Sequence, residues 1–290
     1  MRSLKDPLWV VSSKDEGERL QAFLKGKLES NASGKRIKGL IDAYGCRVNG
    51  RVELFASYRL RAGDRVQIDK EKLGPKERSC LVKILYEDED LYVVDKPSGI
   101  SSELSSFQKA LQQDSLFLVH RLDKETSGVM LLAKNAFMQK LLEVLFKKRK
   151  LQKVYHALVE GRVSTRVFTV ENKLGKRCVY EGQALWGELD QGLVALTHFE
   201  VIQEKNHHAL VHCEPVTGRT HQIRVHLAGQ KLPILGDYHY HRETPFAYKA
   251  SRVLLHAYSL TLQHPKTHKR LSIQSPYPQD FNKALLDLFS

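Results

Sequence analysis

The sequence lacks the features that would place the protein in a membrane or in an oxidising compartment. Its longest apolar runs, such as residues 129–133, are far shorter than the roughly 20 residues that span a bilayer. Residues 8–11 (LWVV) are too short for the apolar core of a secretion signal. Only four cysteines occur in 290 residues, and no two of them form a CxxC pair. We therefore expect a reduced, cytoplasmic protein with no membrane association and no zinc knuckle.

Several widespread catalytic motifs are also absent. The chain has no GxxxxGK[ST], GxGxxG, GxSxG or HExxH segment, so nucleotide hydrolysis, dinucleotide binding, serine esterase and zinc protease chemistry lose their usual support. Thirteen histidines are present, but His221 and His226 are five residues apart and would point to different faces of a helix. Scattered core or polar histidines are the favoured interpretation, and we predict no metal site.

A basic excess is the strongest signal in the composition. The chain has 46 Lys and Arg residues against 33 Asp and Glu residues, a formal net charge of +13. Residues 19–61 alone carry ten basic and three acidic residues, a net charge of +7. Such a charge suits nucleic acid or anionic lipid, although many basic proteins bind neither.

The basic segment has the pattern of a small α+β module. Apolar residues at helical spacing predict two short helices, the second beginning after a Ser33 cap and ending at Gly45. The Asn49-Gly50 pair predicts a tight hairpin turn. We assign this module to residues 1–72 and read the charged stretch 73–79, which contains a Gly-Pro breaker, as a linker.

The remaining residues, 80–290, are richer in strand patterns. Helical patterns interrupt them after a potential cap at Asn135 and from Thr220 to Gly229. Strands with occasional helices and no regular alternation predict an α+β domain built on a mixed, largely antiparallel sheet. The segments with β propensity are residues 81–86, 91–94, 129–133, 154–159, 193–201, 209–213 and 253–262.

Three polar segments beside glycines interrupt the apolar patterns: residues 95–99 (DKPSG), 120–128 (HRLDKETSG) and 215–226 (PVTGRTHQIRVH). An isolated Asp such as Asp123 is most often a turn residue. Here it lies at the margin of a buried-looking strand, where a scaffold holds a functional carboxylate rigidly. Arg121 and Arg224 are candidate cationic partners, although a solvated surface charge is the commoner fate of arginine.

Residues 120–128 resemble the signature of the RluA-type pseudouridine synthases, which isomerise uridine to pseudouridine in RNA. Residues 94–99, 153–161 and 215–237 match the other blocks of that family in the same order. Residues 100–103 (ISSE) depart from it, because the family has a more apolar continuation there. The resemblance implies a pseudouridine synthase catalytic domain preceded by an RNA-binding domain similar to that of ribosomal protein S4.

The resemblance also implies the roles of individual side chains. Asp123 corresponds to the catalytic aspartate, Tyr155 to the residue that stacks on the target base, and Arg224 to the partner of the aspartate. Arg121 resembles the arginine that fills the space left by a flipped-out nucleotide. Moving uracil from N1 to C5 attachment needs a carboxylate and base flipping but no redox step, so no cofactor is implied. An aromatic residue on a strand is otherwise more often a core residue.

The expected partner is therefore RNA, bound by a monomer. We predict pseudouridine formation in structured RNA, with large-subunit (23S) ribosomal RNA as the target. A tRNA pseudouridine synthase and a non-catalytic RNA-binding assembly factor are the alternatives. A run of lysines at the end of the helix after Asn135 is either a solvated helix end or an RNA contact. The residues expected to bind RNA are Arg121, His120, Arg219, His221, Lys35, Arg36, Arg47, Arg51, Lys147 and Lys148.

Overall fold

The computed structural model of the chain describes residues 6–28, 33–42, 44–73, 82–180, 183–241 and 246–290. The described chain divides into two compact units, Met1–Arg78 with Arg177–Leu185, and Ser79–Lys176 with Trp186–Ser290. The linker expected at 73–79 lies, apart from its first residue, outside the described residues. The boundaries 1–72 and 80–290 stay a prediction.

The described residues of the first unit form two α-helices and a four-stranded antiparallel sheet of order β1-β4-β2-β3. Its elements are β1 (Leu8–Val10), α1 (Leu20–Lys27), α2 (Gly34–Asp42), β2 (Cys46–Val48), β3 (Arg51–Val52) and β4 (Arg65–Ile68). Asn49 and Gly50 have φ angles of 52° and 80°, which confirms the hairpin turn between β2 and β3. The apolar stripes of both helices are buried against the sheet, through Leu20, Phe23, Leu24, Ile37, Leu40 and Ile41.

The predicted start of α2 is confirmed, and its predicted end is wrong in detail. Ser33 Oγ accepts a hydrogen bond of 3.3 Å from Arg36 N–H, as an N-cap does. At the other end Tyr44, not Gly45, has the left-handed conformation, with φ 58°. Gly45 instead donates its N–H to Leu40 O at 2.9 Å, and a Cβ there would lie 2.4 Å from Leu40 Cδ1. Glycine is therefore required by close packing and not by its φ angle.

An eleven-stranded sheet is described in the larger part of the chain, and it belongs to the second unit except for the residues of β10 and β11 within Arg177–Leu185. Its strands are β5 (Lys83–Glu87), β6 (Leu91–Lys96), β7 (Phe117–Leu118), β8 (Ser127–Ala133), β9 (Leu151–Glu160), β10 (Val167–Tyr180), β11 (Gln183–Glu188), β12 (Leu193–Lys205), β13 (His208–Pro215), β14 (Leu255–Gln263) and β15 (Arg270–Gln274). The order is β11-β10-β12-β13-β9-β14-β8-β6-β5, with β15 on β14 and β7 on β8. Only β14 with β8 is parallel among the described pairings, which confirms the predicted α+β class.

Four helices pack around this sheet: α3 (Leu104–Leu111), α4 (Ala136–Lys147), α5 (Gln222–Gly229) and α6 (Gln279–Phe289). The cap predicted for α4 is confirmed, because Asn135 Oδ1 accepts Met138 N–H at 2.8 Å. The predicted start of α5 at Thr220 is wrong. His221 has φ 56° and ψ 17°, a left-handed conformation that a right-handed helix cannot contain, so α5 begins at Gln222.

Three central strands place alternate residues on opposite faces of the sheet. On β9, Tyr155 is paired with Cys213 of β13 and Ala257 of β14. The adjacent His156 is paired with His212 and His256 of the same two strands. The Tyr155 face borders the pocket described below, and the His156 face packs against aromatic rings from other elements. No helix of the described residues has the length and apolarity needed to cross a membrane.

Candidate active site

Asp123 lies in the loop of residues 119–126 that joins β7 to β8, at the margin of the strand. Strand β8 follows at once and is fully buried, which gives the loop a rigid base. Gly128 has φ 114°, and a Cβ there would lie 2.2 Å from Ala257 O. The glycine that ends the HRLDKETSG segment is thus required where β14 passes β8 in close contact.

The DKPSG segment, at the end of the neighbouring strand β6, is hydrogen-bonded to this loop. Lys96 is 0% exposed, and its Nζ donates to the carbonyl oxygens of Pro97, Ile100 and Lys124 at 2.9–3.3 Å. A buried ammonium is tolerated because it is surrounded by acceptors. Gly99 N–H donates to the same Lys124 oxygen at 2.8 Å. The segment therefore fixes the backbone next to Asp123.

Ser102, in the stretch that departs from the family pattern, fixes the other side of Asp123. Its Oγ donates to Leu122 O at 2.8 Å and accepts Leu122 N–H at 3.1 Å. Both backbone groups of the residue before Asp123 are therefore satisfied by one hydroxyl.

The third segment is organised by the buried amide of Gln222 at the start of α5. Its Oε1 accepts from Thr217 Oγ1 at 2.6 Å and from Arg219 N–H at 3.0 Å. Its Nε2 donates to Leu196 O and to Thr197 Oγ1 of β12. Because every donor and acceptor of this amide is used, the loop of residues 215–221 is held against β12 in one conformation.

Arg224, on α5, lies at the centre of the site with its side chain 3% exposed. Its Nε and Nη2 donate to the two carboxylate oxygens of Asp237 at 2.7 and 2.8 Å, a bidentate pair. Its Nη1 lies 3.8 Å from Asp123 Oδ2, and its Nη2 lies 3.7 Å from Glu125 Oε2. Arg224 is thus near Asp123, as expected, but its hydrogen-bonded partner is Asp237.

One guanidinium therefore faces three carboxylates in a buried setting. Burial raises the pKa of Glu125 to about 7, and the charge of Arg224 only partly opposes this shift. Burial alone would raise the pKa of Asp237 as well, but Arg224 outweighs burial and holds it below its usual value. Glu125 Oε2 is buried and accepts no hydrogen bond among the described residues. Arg224 is thus hydrogen-bonded to Asp237, whereas Asp123 and Glu125 lie beyond hydrogen-bond distance of it.

Asp123 lines a pocket of ≈110 Å³. Most of the pocket wall comes from residues 120–128, residues 215–226 and strand β9. Tyr155 lies in the pocket wall, half-buried, and burial raises the pKa of its hydroxyl, with the charge of Asp123 adding to the effect. Arg121 and Arg219 also line the pocket. Arg121 is exposed, whereas Arg219 donates its Nε to Val194 O at 2.9 Å.

Lys153 is a pocket residue that was not predicted from the sequence. It lies two residues before Tyr155 on β9, on the same face of the strand, and it is half-buried. Burial lowers the pKa of its ammonium to about 8, and Arg149 adds to this shift. In the described part of the chain Lys153 forms no salt bridge, and its one hydrogen bond, to Thr217 O, is long at 3.5 Å. The alternation of strand residues beside Tyr155 could have identified it.

His221 also lies in the pocket, with Nε2 3.9 Å from Asp123 Oδ2. Its Nδ1 is hydrogen-bonded to the hydroxyl of Tyr240 at 2.7 Å. The Tyr240 ring also stands against Arg224, whose Cζ is 5.1 Å from the ring centroid. Tyr240, Glu125 and Asp237 were not predicted as site residues, although Glu125 lies within residues 120–128 and Asp237 ends the matched block 215–237.

The other residues expected to bind RNA lie outside this pocket. His120 is absent from the pocket lining, since its Nε2 accepts Leu131 N–H at 2.9 Å and its ring stacks on Phe146. Burial lowers the pKa of His120 to about 3. Its assignment as an RNA contact stays a prediction, as do those of six residues that are exposed, Lys35, Arg36, Arg47, Arg51, Lys147 and Lys148.

No cluster of three or more His, Cys, Asp or Glu side chains in the described ranges has the arrangement of a metal site. The pocket offers instead one carboxylate at a wall, an aromatic ring and several cations. Such a set is suited to acid–base or nucleophilic chemistry on an anionic substrate.

Comparison with known proteins identifies relatives over nearly the whole chain. Residues 90–229 match the family model for RNA pseudouridylate synthase. The chain is 32% identical to the ribosomal large subunit pseudouridine synthase C of Pasteurella multocida (strain Pm70), over 95% of this chain and 92% of that protein. It is 31% identical to the protein of the same name from Escherichia coli (strain K12), over 96% of this chain and 95% of that protein.

Two solved human structures have a similar fold. The chain named RNA pseudouridylate synthase domain containing 4 matches with a TM-score of 0.58 and 26% identity, over 70% of this chain and 91% of that chain. The chain named RNA pseudouridylate synthase domain containing 1 matches with a TM-score of 0.56 and 25% identity, over 71% of this chain and 87% of that chain.

Proposed function

This chain belongs to the RluA-type family and is an RNA pseudouridine synthase, and we propose that its substrate is large-subunit (23S) ribosomal RNA. Relatives that match over 95% and 96% of this chain are named for the large ribosomal subunit, which supports that target over tRNA. An RNA-binding role for the basic S4-like module at residues 1–72, and a cytoplasmic location as a monomer, belong to the same proposal.

We infer that Asp123 is the catalytic carboxylate. The observation that carries this inference is its position in a pocket that also contains Tyr155 and the buried Arg224. The reaction breaks the bond between C1′ and N1 of uridine, turns the uracil, and forms a bond between C1′ and C5. The hydrogen of C5 leaves as a proton and N1 takes up a proton, so atoms balance without an added reactant. A carboxylate assists such a reaction as a nucleophile or as a base.

The target base must leave the RNA stack before it can reach Asp123, because a base inside a helix is not accessible to a side chain in a pocket wall. Tyr155 offers a ring face on which the uracil stacks. Arg121, exposed at the pocket, occupies the space that the base vacates. Lys153 and Arg219 line the same pocket and are suited to contact the phosphates beside the flipped nucleotide.

The proposal is tested with large-subunit ribosomal RNA that carries tritium at C5 of its uridines. Pseudouridine formation releases that tritium into water. Wild-type protein is expected to release it, and the Asp123→Asn variant, which keeps the size of the side chain, is expected to be slower by at least about 100-fold. Release from tRNA but not from the ribosomal RNA would overturn the target, and equal rates for both proteins would overturn the role of Asp123.

A further inference from the structure

His221 is held in a backbone conformation that is uncommon for residues other than glycine. Its φ of 56° and ψ of 17° lie in the left-handed region, and it directly precedes the first residue of α5. Its side chain is 18% exposed and lies in the pocket wall. A non-glycine residue persists there only when its surroundings hold it in place, and such residues concentrate at functional sites.

Two hydrogen bonds of Tyr240 indicate which nitrogen of His221 carries the proton. Trp186 N–H donates to the Tyr240 hydroxyl oxygen at 3.1 Å. Among the described residues, His221 Nδ1, 2.7 Å away, is the acceptor within reach of the Tyr240 O–H, so we assign the hydroxyl as the donor of this bond. Because Nδ1 of a neutral imidazole accepts that bond, its proton resides on Nε2.

The protonated Nε2 faces the proposed catalytic carboxylate. It lies 3.9 Å from Asp123 Oδ2, and Arg224 Nη1 lies 3.8 Å from the same oxygen. Both distances are slightly too long for a hydrogen bond, as catalytic contacts often are before substrate binds. A neutral N–H donor and a cationic donor therefore converge on one oxygen of Asp123.

We propose that His221 and Tyr240 are positioning residues: Tyr240 fixes the Nε2–H tautomer of His221, which together with Arg224 orients Oδ2 of Asp123 during the reaction. This inference rests on the proposed function of Asp123. Burial lowers the pKa of His221 to about 4, and the charge of Arg224 adds to the shift. Asp123, Asp237 and Arg121 are the other charged groups that act on it. His221 is consequently neutral at pH 7, where the tautomer decides which nitrogen donates.

Two amide variants separate this role from a structural one. In His221→Gln the amide nitrogen reaches the position of Nε2, whereas in His221→Asn it reaches only the position of Nδ1. We expect His221→Gln to retain kcat within about 10-fold and His221→Asn to lose a further 10-fold or so, because only the former still donates to Asp123. Backbone preference acts in the opposite direction, since Asn adopts the left-handed region more readily than Gln. An Asn variant as active as the Gln variant would overturn the proposal.

The tautomer itself is measured by nitrogen-15 NMR of the full chain labelled in histidine, with the His221 signals assigned by their loss in His221→Gln. At pH 7 we expect a protonated Nε2 and an unprotonated Nδ1, and we expect Tyr240→Phe to remove that preference. A proton on Nδ1, or a doubly protonated ring, would contradict the proposal. This measurement needs no RNA, so failure of the proposed function, seen as unaltered activity of Asp123→Asn, is distinguished from failure of the positioning role.

Discussion

Two groups of titratable side chains lie on opposite faces of the same three strands, β13, β9 and β14. On the pocket face, Arg224 is buried among Asp123, Glu125 and Asp237, and two of these three carboxylates lie at 3.7–3.8 Å from it. On the other face, His156, His212 and His256 form a row in register across the strands. Both groups are largely buried, but the pocket group joins a guanidinium to carboxylates, whereas the other group consists of imidazole rings.

His156 and His256 of this row are neutral at pH 7, whereas His212 Nε2 lies 3.0 Å from Glu214 Oε1 on the same strand. His256 Nδ1 is bonded to Ser127 Oγ at 3.0 Å, and its Nε2 to Ser275 O at 3.2 Å. His156 Nδ1 is hydrogen-bonded to the Tyr277 hydroxyl, and its ring stacks on Tyr258 with centroids 4.2 Å apart. Burial lowers the pKa of both His156 and His256 to about 4.

The difference separates a structural network from a reactive one. Where the sheet face is closed by packing, His156 and His256 are hydrogen-bonded to uncharged groups of neighbouring elements. Where the sheet face opens to the pocket, the buried Arg224 lies 3.7–3.8 Å from the carboxylates of Asp123 and Glu125. Glu125 Oε2 accepts no hydrogen bond from the described residues. Incomplete pairing of this kind is retained at sites that interact with a substrate.

The largest effect is expected from Arg224→Met on the pocket face. Removing the guanidinium leaves Asp237, 1% exposed, as an unpaired buried carboxylate. We expect unfolding free energy to fall by about 3–5 kcal/mol. Activity should fall as well, by at least about 100-fold, because the cation beside Asp123 is removed. Urea unfolding and tritium release measure the two effects.

The double variant Arg224→Met with Asp237→Asn separates these effects. It removes the unpaired charge, so it should be more stable than Arg224→Met alone while remaining equally inactive. Recovery of activity together with stability would mean that Arg224 acts only through folding.

On the histidine face, His156→Leu should affect stability and leave kcat unchanged. The Tyr277 hydroxyl loses its partner, at a cost of about 1–3 kcal/mol. Adding Tyr277→Phe should recover much of this stability, since both polar partners are then gone. A fall in kcat at permissive temperature would show that the two faces are not functionally separate.

The buried histidines of this face predict that the stability of the protein falls at acidic pH. The folded pKa of His156 and of His256, about 4, is below the ordinary value of 6.5. Their contribution to stability is therefore present above pH 6.5 and is lost as pH falls towards 4. His156→Leu should flatten the stability profile over this range, because one fewer ring must take up a proton on unfolding. An unchanged slope in urea titrations would contradict this interpretation.

Glu125 on the pocket face should show the opposite pH dependence. Its folded pKa of about 7 is above its ordinary value of 4.5, so ionisation destabilises the folded state as pH rises between those values. We expect Glu125→Gln to be more stable than wild type at pH 8 and similar to it at pH 5. A stability difference that is independent of pH would show that Glu125 does not ionise in this way.

The smallest effect is expected from exposed cations away from both faces. Replacing Lys147 and Lys148 with Gln should weaken binding to any RNA and reduce the slope of affinity against salt by about 0.7–0.9 for each phosphate that is no longer neutralised. Lys283→Gln serves as the control, because Lys283 is exposed but already paired with Asp287 at 3.0 Å. Equal effects for each charge removed would mean that only net charge matters.

Much of this organisation was predictable from the sequence, because apolar periodicity and caps act locally. The Asn135 cap and the hairpin turn at Asn49-Gly50 are confirmed. Strand β10 (Val167–Tyr180) was not predicted, since it is largely exposed and carries charged residues where a buried strand would have apolar ones. The start of α5 was misplaced because the conformation of His221 depends on long-range contacts.

The candidate site was predictable to the extent that residues matched known motifs. Asp123, Tyr155 and Arg224 do line one pocket, although their roles stay a proposal. The bidentate partner Asp237 and the ring of Tyr240 come from a loop with no periodicity. Contacts of that kind form only when the chain folds, so no local pattern in the sequence indicates them.

The central claim, that the Asp123 pocket forms pseudouridine in large-subunit ribosomal RNA, is tested most directly by mapping pseudouridines in total RNA. Cells that lack the gene are compared with the same cells supplied with wild type or with Asp123→Asn. We predict that specific large-subunit sites lose pseudouridine without the gene, regain it with wild type, and do not regain it with Asp123→Asn. Restoration by Asp123→Asn, or an unchanged map in the absence of the gene, would contradict the account.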